Sequence, residues 1–339
     1  DVTGVQTCAL PILLAIIGLE SSKIEEICNT LRNKGMFIYP ANYNYSNQTV
    51  VSGSQKAIEI LANILMGLFC VLIILPCMNL ISQAVSPGGD VVGGKVYFWP
   101  TGIQFEAIQY ILGKTNFFMA MKNSLIVTGL GTLISVIVTI MTSYPLSRPE
   151  FCGRKFFTFL YVFSMIFFGG MIPAYMVVKT LGLIDTYAAL ILPFAIVQFN
   201  MFMMKNYMEG LPNEVIESAS VDGAGDFRTL VAIVCPMAKP VIATVTLLYA
   251  VNYWNNYFHA MLYTTSTSMQ TLQVYLKNLI ANIQSTLAEI SGSTAASPNL
   301  TSDGLTSAAV LMSVIPIVVL YPFLSRYLVS GITLGSVKG

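Results

Sequence analysis

LPNEVIESASVDGAGDFRTLVAIVCP, residues 211–236, reads as two short helices joined by a glycine elbow. Pro212 suits a first helical turn, where a missing N–H costs nothing. Helical spacing puts Val215, Ala219 and Asp222 on one face and turns Glu217 away from it. Gly223 is predicted to stop the first helix, because a left-handed residue is needed there. Asp226 is placed to cap a second helix, with Phe227, Leu230, Val231 and Val234 on its apolar face. Pro236 is predicted to end that helix and Pro240 to begin the next. The segment has too few apolar residues to cross a membrane and too many for a plain solvated loop.

On either side of it the chain is very apolar. A spanning helix needs roughly 20 mostly apolar residues. Six stretches qualify: about Ile60 to Ala84, Asn123 to Pro145, Phe156 to Val178, Tyr187 to Met204, Pro240 to Phe258 and Ser307 to Leu328. Composition agrees, with 55% hydrophobic and 10% charged residues, where a soluble domain carries about 25% charged. The expected fold class is an all-α polytopic membrane protein of six transmembrane helices, with a two-helix loop over residues 205–238. Prolines 76, 173, 193, 316 and 322 fall inside these stretches; a helix bundle can satisfy the carbonyls they free.

Orientation follows from Lys and Arg in short loops. Arg148, Arg154 and Lys155 crowd one loop, Lys205, Arg228 and Lys239 another, and Arg326 and Lys338 follow the last span. These segments are predicted to be cytoplasmic. On the opposite side, Ser86 to Met119 reads as a turn-rich segment with a short helix at about Phe105 to Leu112. Thr264 to Thr306 is rich in Ser, Thr and Asn, with helical spacing from Leu272 to Ile283 and a loop from Ser291 to Asp303.

Several chemistries are excluded. Net charge is +1 with no basic cluster, so no nucleic-acid surface is expected. No two of the six cysteines are spaced as C-x-x-C, and His259 is the single histidine, so neither a metal nor any other cofactor is expected. Gly113-Lys114-Thr115 mimics the end of a phosphate loop, but Ile108 stands where the first glycine must be. The later spans carry essentially no Asp, Glu or His, which argues against an ion-coupled secondary transporter. Gly129 and Gly131 lie inside the second span, where small residues allow close helix packing.

Asn252, Tyr253, Trp254, Asn255, Asn256 and Tyr257 form a polar-aromatic cluster at the outer end of the fifth span. Polar groups in a span often mark a pathway, whereas Trp and Tyr also form the interfacial belt. Both readings stay open, as they do for Gln198 and Asn200 in the fourth span. His259 reads as an interface residue rather than a proton relay.

Glu217-Ser218-Ala219, then Asp222-Gly223-Ala224, then Ile233 and Pro236, resemble the E-A-A…D-G-A…I-x-x-P motif of binding-protein-dependent ABC importers. Ser218 for the middle alanine and Cys235 before the proline are the departures. The resemblance runs from about Leu61 to Gly339. It takes in Val96-Tyr97-Phe98-Trp99-Pro100, Asn123-Ser124-Leu125, Tyr144-Pro145-Leu146-Ser147-Arg148 and the tail Gly331 to Gly339, which is similar to the maltose-type, carbohydrate branch. It implies the type I importer permease fold in the bacterial plasma (inner) membrane. It implies a transport subunit without its own ATPase site, ATP and Mg being bound by two separate ATPase subunits. A second permease subunit, an extracellular solute-binding lipoprotein and a sugar or oligosaccharide substrate complete the implied assembly. Glu217, Ser218, Ala219, Asp222, Gly223, Ala224 and Pro236 would form the ATPase-coupling element. Asn200, Asn252, Trp254, Asn255 and Asn256 are candidates for the substrate pathway. An importer for a non-sugar solute is the alternative.

The front reads differently. Val2 to Ile12, VTGVQTCALPI, looks like translated sequencing-library adapter. Residues 13–60 resemble an internal stretch of malonyl-CoA:acyl-carrier-protein transacylase, through Ala15-Ile16-Ile17-Gly18-Leu19, Ala41-Asn42-Tyr43-Asn44 and Gln48 to Gly53. The pattern predicts an amphipathic helix through Ile24, Ile27 and Leu31, a strand from Met36 to Tyr39 and another from Thr49 to Val51. Neither a nucleophile elbow nor a catalytic histidine is present, so no acyl transfer follows. A chimeric junction is expected near Ala57 to Asn63.

Overall fold

The computed structural model describes residues 12–45, 48–113, 115–167, 169–283 and 300–335. The adapter-like stretch up to Pro11, the predicted loop over 291–299, Lys114 and the tail from Ser336 lie outside the described residues. The chain divides into two units, Asp1–Asn79 and Leu80–Gly339.

In the first unit, strand β1 (Ile12–Ile17) precedes helix α1 (Ser21–Asn33), and β2 (Ile38–Tyr45) and β3 (Gln48–Gly53) follow it. All pairing is antiparallel, in the order β1-β3-β2. Pro40 sits on β2, an edge strand, where a missing N–H is tolerated. The central strand alternates, burying Thr49, Val51 and Gly53. Ile24, Cys28 and Leu31 of α1 pack with Ile38, Val51 and Leu61. The sequence pattern missed β1 and shortened β2. An apolar run such as Ile12–Ile17 has no alternation to mark it as a strand. Helix α2 (Gln55–Val85) runs without interruption through residues 57–63 and carries Pro76.

In the second unit, α3 (Gly88–Val92) and α4 (Glu106–Leu112) are short, and α5 (Thr115–Ser147) is a long uninterrupted helix. Then come α6 (Arg154–Ile166), α7 (Met171–Thr180), α8 (Tyr187–Ile191) and α9 (Gln198–Glu209). The remainder comprises α10 (Asn213–Val221), α11 (Asp226–Thr229), α12 (Cys235–Met237), α13 (Lys239–Trp254), α14 (Tyr257–Tyr263), α15 (Leu272–Ala281) and α16 (Ser302–Gly335). One core joins α5, α9 and α13 through Val127, Met204, Val245, Tyr249 and Tyr253. A second joins α4, α15 and α16 through Ile111, Leu272, Leu276, Leu305 and Ala308.

Gln55–Val85, Asn116–Ser147 and Ser302–Val319 are long and apolar enough to cross a membrane. Three bent pairs pass the same test jointly, so among the described residues the count is three, or up to six if each pair is one span. The predicted third and fourth stretches are therefore not straight helices, and an 85° bend at Ala238 precedes the fifth. The fourth breaks into α8, a 3-10 turn over Leu192–Phe194, and α9, with a 50° bend. The fifth, predicted to reach Phe258, ends at Trp254 and restarts at Tyr257.

The break between α8 and α9 has a physical explanation in α13. A backbone group freed inside a low-dielectric bundle needs a partner. Tyr253 Oη donates to the Ile191 carbonyl at 3.1 Å, and the Val197 N–H donates to Tyr249 Oη at 2.9 Å. The same hydroxyls bond Ser135 Oγ at 2.9 Å and Thr139 Oγ1 at 2.8 Å on α5. Two tyrosines one turn apart thus satisfy both sides of the interruption and tie it to two helices.

Near the start of α5, Asn123 Nδ2 donates to the Ser268 and Gln270 carbonyls at 2.8 and 2.9 Å, and Asn123 Oδ1 accepts from Tyr187. Beside this network Asp185 adopts φ +61, unusual for a non-glycine residue. Its carboxylate accepts from the N–H groups of Thr265 (2.7 Å) and Ser266 (3.0 Å) and from both hydroxyls. The Ser266 N–H leads the donors that together hold the carboxyl down to about 2. A depressed carboxylate stabilises above its unfolded pKa and loses that contribution as pH falls through the folded one. Amide-exchange protection at Thr265 and Ser266 is therefore expected to be complete above about pH 4 and to fade toward pH 2. Asp185→Asn should show weaker protection already at neutral pH; equal protection in that variant would refute the charge-based knot.

Candidate functional site

Gly210 caps α9, and Pro212 stands immediately before α10 as its N-cap. Helix α10 ends in a Schellman turn: the Ala224 N–H donates to the Ala219 carbonyl at 2.9 Å and the Gly223 N–H to the Ser220 carbonyl at 3.1 Å. Gly223 takes φ +78, a conformation that disfavours a Cβ. Ala219 is buried, while Glu217, Ser218, Asp222 and Gly223 are exposed and Ala224 is half-buried. The Ser218 hydroxyl donates to the Val215 carbonyl at 2.9 Å, so it is turned to its own helix. Among the described residues, Glu217 and Asp222 make no ion pair.

The second helix of the knob differs from expectation in three ways. Gly225, extended at φ −71 and ψ 162, is the N-cap in place of Asp226, which becomes the first helical residue. There it remains an acidic residue in the first turn, at the positive end of the helix. Of the four predicted apolar-face residues, Leu230 and Val234 are buried, while Phe227 and Val231 remain exposed. Pro236 does not end the helix. A π-helical turn over Leu230–Val234 leads into α12, and the chain turns by 85° only at Ala238. The widened turn moves away the carbonyl that the proline ring would strike in a regular helix.

A cleft of about 760 Å³ lies beside the knob, between α10, α11 and the end of α5. Glu217, Glu150 and Asp226 line it together with Arg148 and Tyr144. The Arg148 guanidinium lies 5.0 Å from the Tyr144 ring centroid. Its Nε and Nη2 are buried without a hydrogen-bond partner among the described residues. The sequence singled out Tyr144 and Arg148 as the end of a span and Arg148 as an orienting cation; folding brings both into one cleft with Glu217.

The base of the knob is anchored by charge. Glu209, at the end of α9, pairs with Arg154 of α6 and with Lys205 Nζ at 2.7 Å. Arg154 Nε also donates to the Leu146 carbonyl at 3.0 Å. From Asn123 to Leu146 is about 35 Å along α5, so this node and the Asp185 network occupy opposite ends of that helix.

The five pathway candidates differ in their surroundings. Trp254 is buried in the second core and Asn200 on α9, while Asn252 and Asn255 are exposed. Asn256 Oδ1 lies 3.0 Å from His259 Nδ1. The polar contacts that do converge are those of Tyr249 and Tyr253. Their i, i+4 spacing, facing Ser135 and Thr139 at the same spacing, was the available signal.

The chain superposes on the crystal structure of a bacterial ABC transporter involved in the import of the acidic polysaccharide alginate, with a TM-score of 0.74 and 30% identity. That match covers 85% of this chain and 99% of the other. The class is thus the helical permease of a type I, ATP-driven importer. Residues 126–334 match the family model described as binding-protein-dependent transport system inner membrane component, and the chain belongs to this family. It is 37% identical over 275 residues to the polygalacturonan/rhamnogalacturonan transport system permease protein YtcP of Bacillus subtilis (strain 168), covering 80% of this chain and 95% of that protein. It is also 37% identical over 266 residues to Protein LplC of the same organism, covering 78% and 90%.

Proposed function

We propose that this chain carries sugars or oligosaccharides across the bacterial plasma (inner) membrane through six spans, the third and fourth of them bent. It works with a second permease subunit, two ATPase subunits and an extracellular solute-binding lipoprotein. The relatives named for saccharide transport support the substrate class. The coupling assignment rests on one observation: a nine-residue helix stopped by a left-handed glycine, leaving Glu217 and Asp222 exposed and unpaired.

In this reading α10 to α12 dock on an ATPase subunit, with Glu217 meeting a cationic or hydrogen-bonding group there. Ala219 and Ala224 keep the knob close to the bundle. ATP-driven closure of the motor pulls the knob, and α9 and α13 transmit the movement to the bent spans. Glu217→Cys in the assembled transporter is expected to cross-link to an ATPase subunit, with a yield that changes on adding ATP. No adduct with any nucleotide-hydrolysing subunit would defeat the assignment. Uptake of labelled acidic and neutral oligosaccharides, measured against non-sugar solutes, tests the substrate class.

The front of the chain supports a separate reading, in which residues 1–60 derive from another sequence joined near residues 57–63. Continuous reads across that position from unamplified source DNA would overturn it.

A further inference from the structure

We propose that a basic recess at the start of α6 binds the phosphate of an anionic phospholipid headgroup. The recess, of about 670 Å³, is lined by Arg154, Lys155, Lys205 and Thr158, with Phe159 and Val162 at its apolar side. It adjoins the cleft beside the knob, sharing Pro149 and Phe151 with it, but cations line it where Glu217 and Glu150 line the cleft.

Charge is the first argument. Among the described residues, Glu209 is the one carboxylate paired with these cations, accepting from both Arg154 and Lys205. Lys155 is exposed and, among the described residues, makes no ion pair. Three cations against one carboxylate leave a surplus of two positive charges. Helix α6 adds to it. Gly153, at φ +87, aims the helix start, and no side chain caps its first N–H groups. That end of the helix carries the positive pole of the macrodipole. The Thr158 hydroxyl supplies a further donor. A phosphate, with several acceptor oxygens, suits this set better than a carboxylate.

The second argument selects a lipid over a free anion. Beyond the recess α6 presents Phe159, Val162, Phe163 and Ile166 at helical spacing, all exposed. This strip begins where the cations end, which is the order in a phospholipid: headgroup, then acyl chain. Basic pockets at the cytoplasmic ends of spanning helices hold such headgroups in general. The inference rests on the reading that α6 enters the membrane from its cytoplasmic face. It assigns a site which that reading does not require. A headgroup there would share Arg154 and Lys205 with Glu209, at the root of the coupling knob.

The test is lipid retention by the full chain in detergent, read by native mass spectrometry. Phosphatidylglycerol is the anionic probe, phosphatidylcholine the zwitterionic control and inorganic phosphate the competitor. Wild-type chain is expected to retain phosphatidylglycerol over phosphatidylcholine. Lys155→Gln, at an exposed position that should not disturb folding, is expected to weaken retention about fivefold, the effect of one cation near an anionic surface. Equal retention of both lipids, or no change in Lys155→Gln, would overturn the proposal. Displacement by equimolar inorganic phosphate would assign the recess to the free anion and overturn the lipid. Insertion and sugar uptake in the same preparations report on the transport reading separately. A chain that imports sugar but ignores phosphatidylglycerol defeats only the lipid site.

Discussion

Gly223→Pro is expected to abolish ATP-driven uptake while leaving the chain inserted in the membrane. Gly223 sits at φ +78, and its N–H donates to the Ser220 carbonyl at 3.1 Å. Proline holds φ near −65° and has no N–H, so it can adopt neither the turn nor the bond. It also pushes the preceding residue, Asp222, out of the turn conformation that it occupies at φ −73 and ψ 3, toward extended backbone. The turn between α10 and α11 must then reorganise. A cost of about 3 kcal/mol corresponds to a loss of roughly 100-fold in the fraction of knobs shaped for docking. Stimulated ATPase activity should fall with uptake, because in the proposed mechanism both depend on the same contact. Insertion should survive, since the exposed face of α10 contributes nothing to either core. Gly225→Ala is the control. Gly225 lies at φ −71, and a Cβ there would meet nothing within 4 Å. Its uptake should stay near wild type. Wild-type uptake in Gly223→Pro would remove the knob from the mechanism.

Gly131→Ala is expected to destabilise the bundle by about 2–4 kcal/mol, whereas Gly129→Ala should be neutral or slightly stabilising. The two glycines looked equivalent in sequence, both as small residues for close helix packing. In the fold, Gly129 is exposed and has nothing within 4 Å of an added Cβ. At Gly131 the Cβ would lie 2.8–2.9 Å from three ring atoms of Tyr253. That ring cannot swing aside cheaply. It is buried, and its hydroxyl is bonded to Ser135 and to the Ile191 carbonyl. Moving it adds the cost of two orphaned buried polar groups to the overpacking itself. Thermal unfolding of the purified chain measures the difference. A double-mutant cycle isolates its cause, because Gly131→Ala should cost nothing once Tyr253→Ala has removed the ring. Equal melting temperatures for the two single variants would show that the contact does not limit packing.

Tyr249 and Tyr253 also show where pattern reading stops. Hydropathy over a window of about 20 residues reports how apolar a stretch is, and a broken span is as apolar as a straight one. The residues that interrupt the fourth stretch, Leu192 to Val197, carry a single proline. Whether their freed backbone groups can be satisfied depends on hydroxyls more than 50 residues later, at distances only the fold sets. Arg148 is similar: in sequence it is one of several orienting cations, and in space it lines one cleft with Glu217.

Local chemistry was enough for the helical class of the second unit, the position of the knob and its left-handed stop at Gly223. These depend on composition, on i, i+4 spacing and on a backbone angle that glycine adopts without penalty. Three-dimensional packing alone decided the bends in the spans, the passage of the chain through Pro236, and the meeting of Arg154, Lys205 and Glu209. Each of those requires a donor, an acceptor or a void supplied by a distant element, and periodicity along one helix carries no information about what stands opposite it.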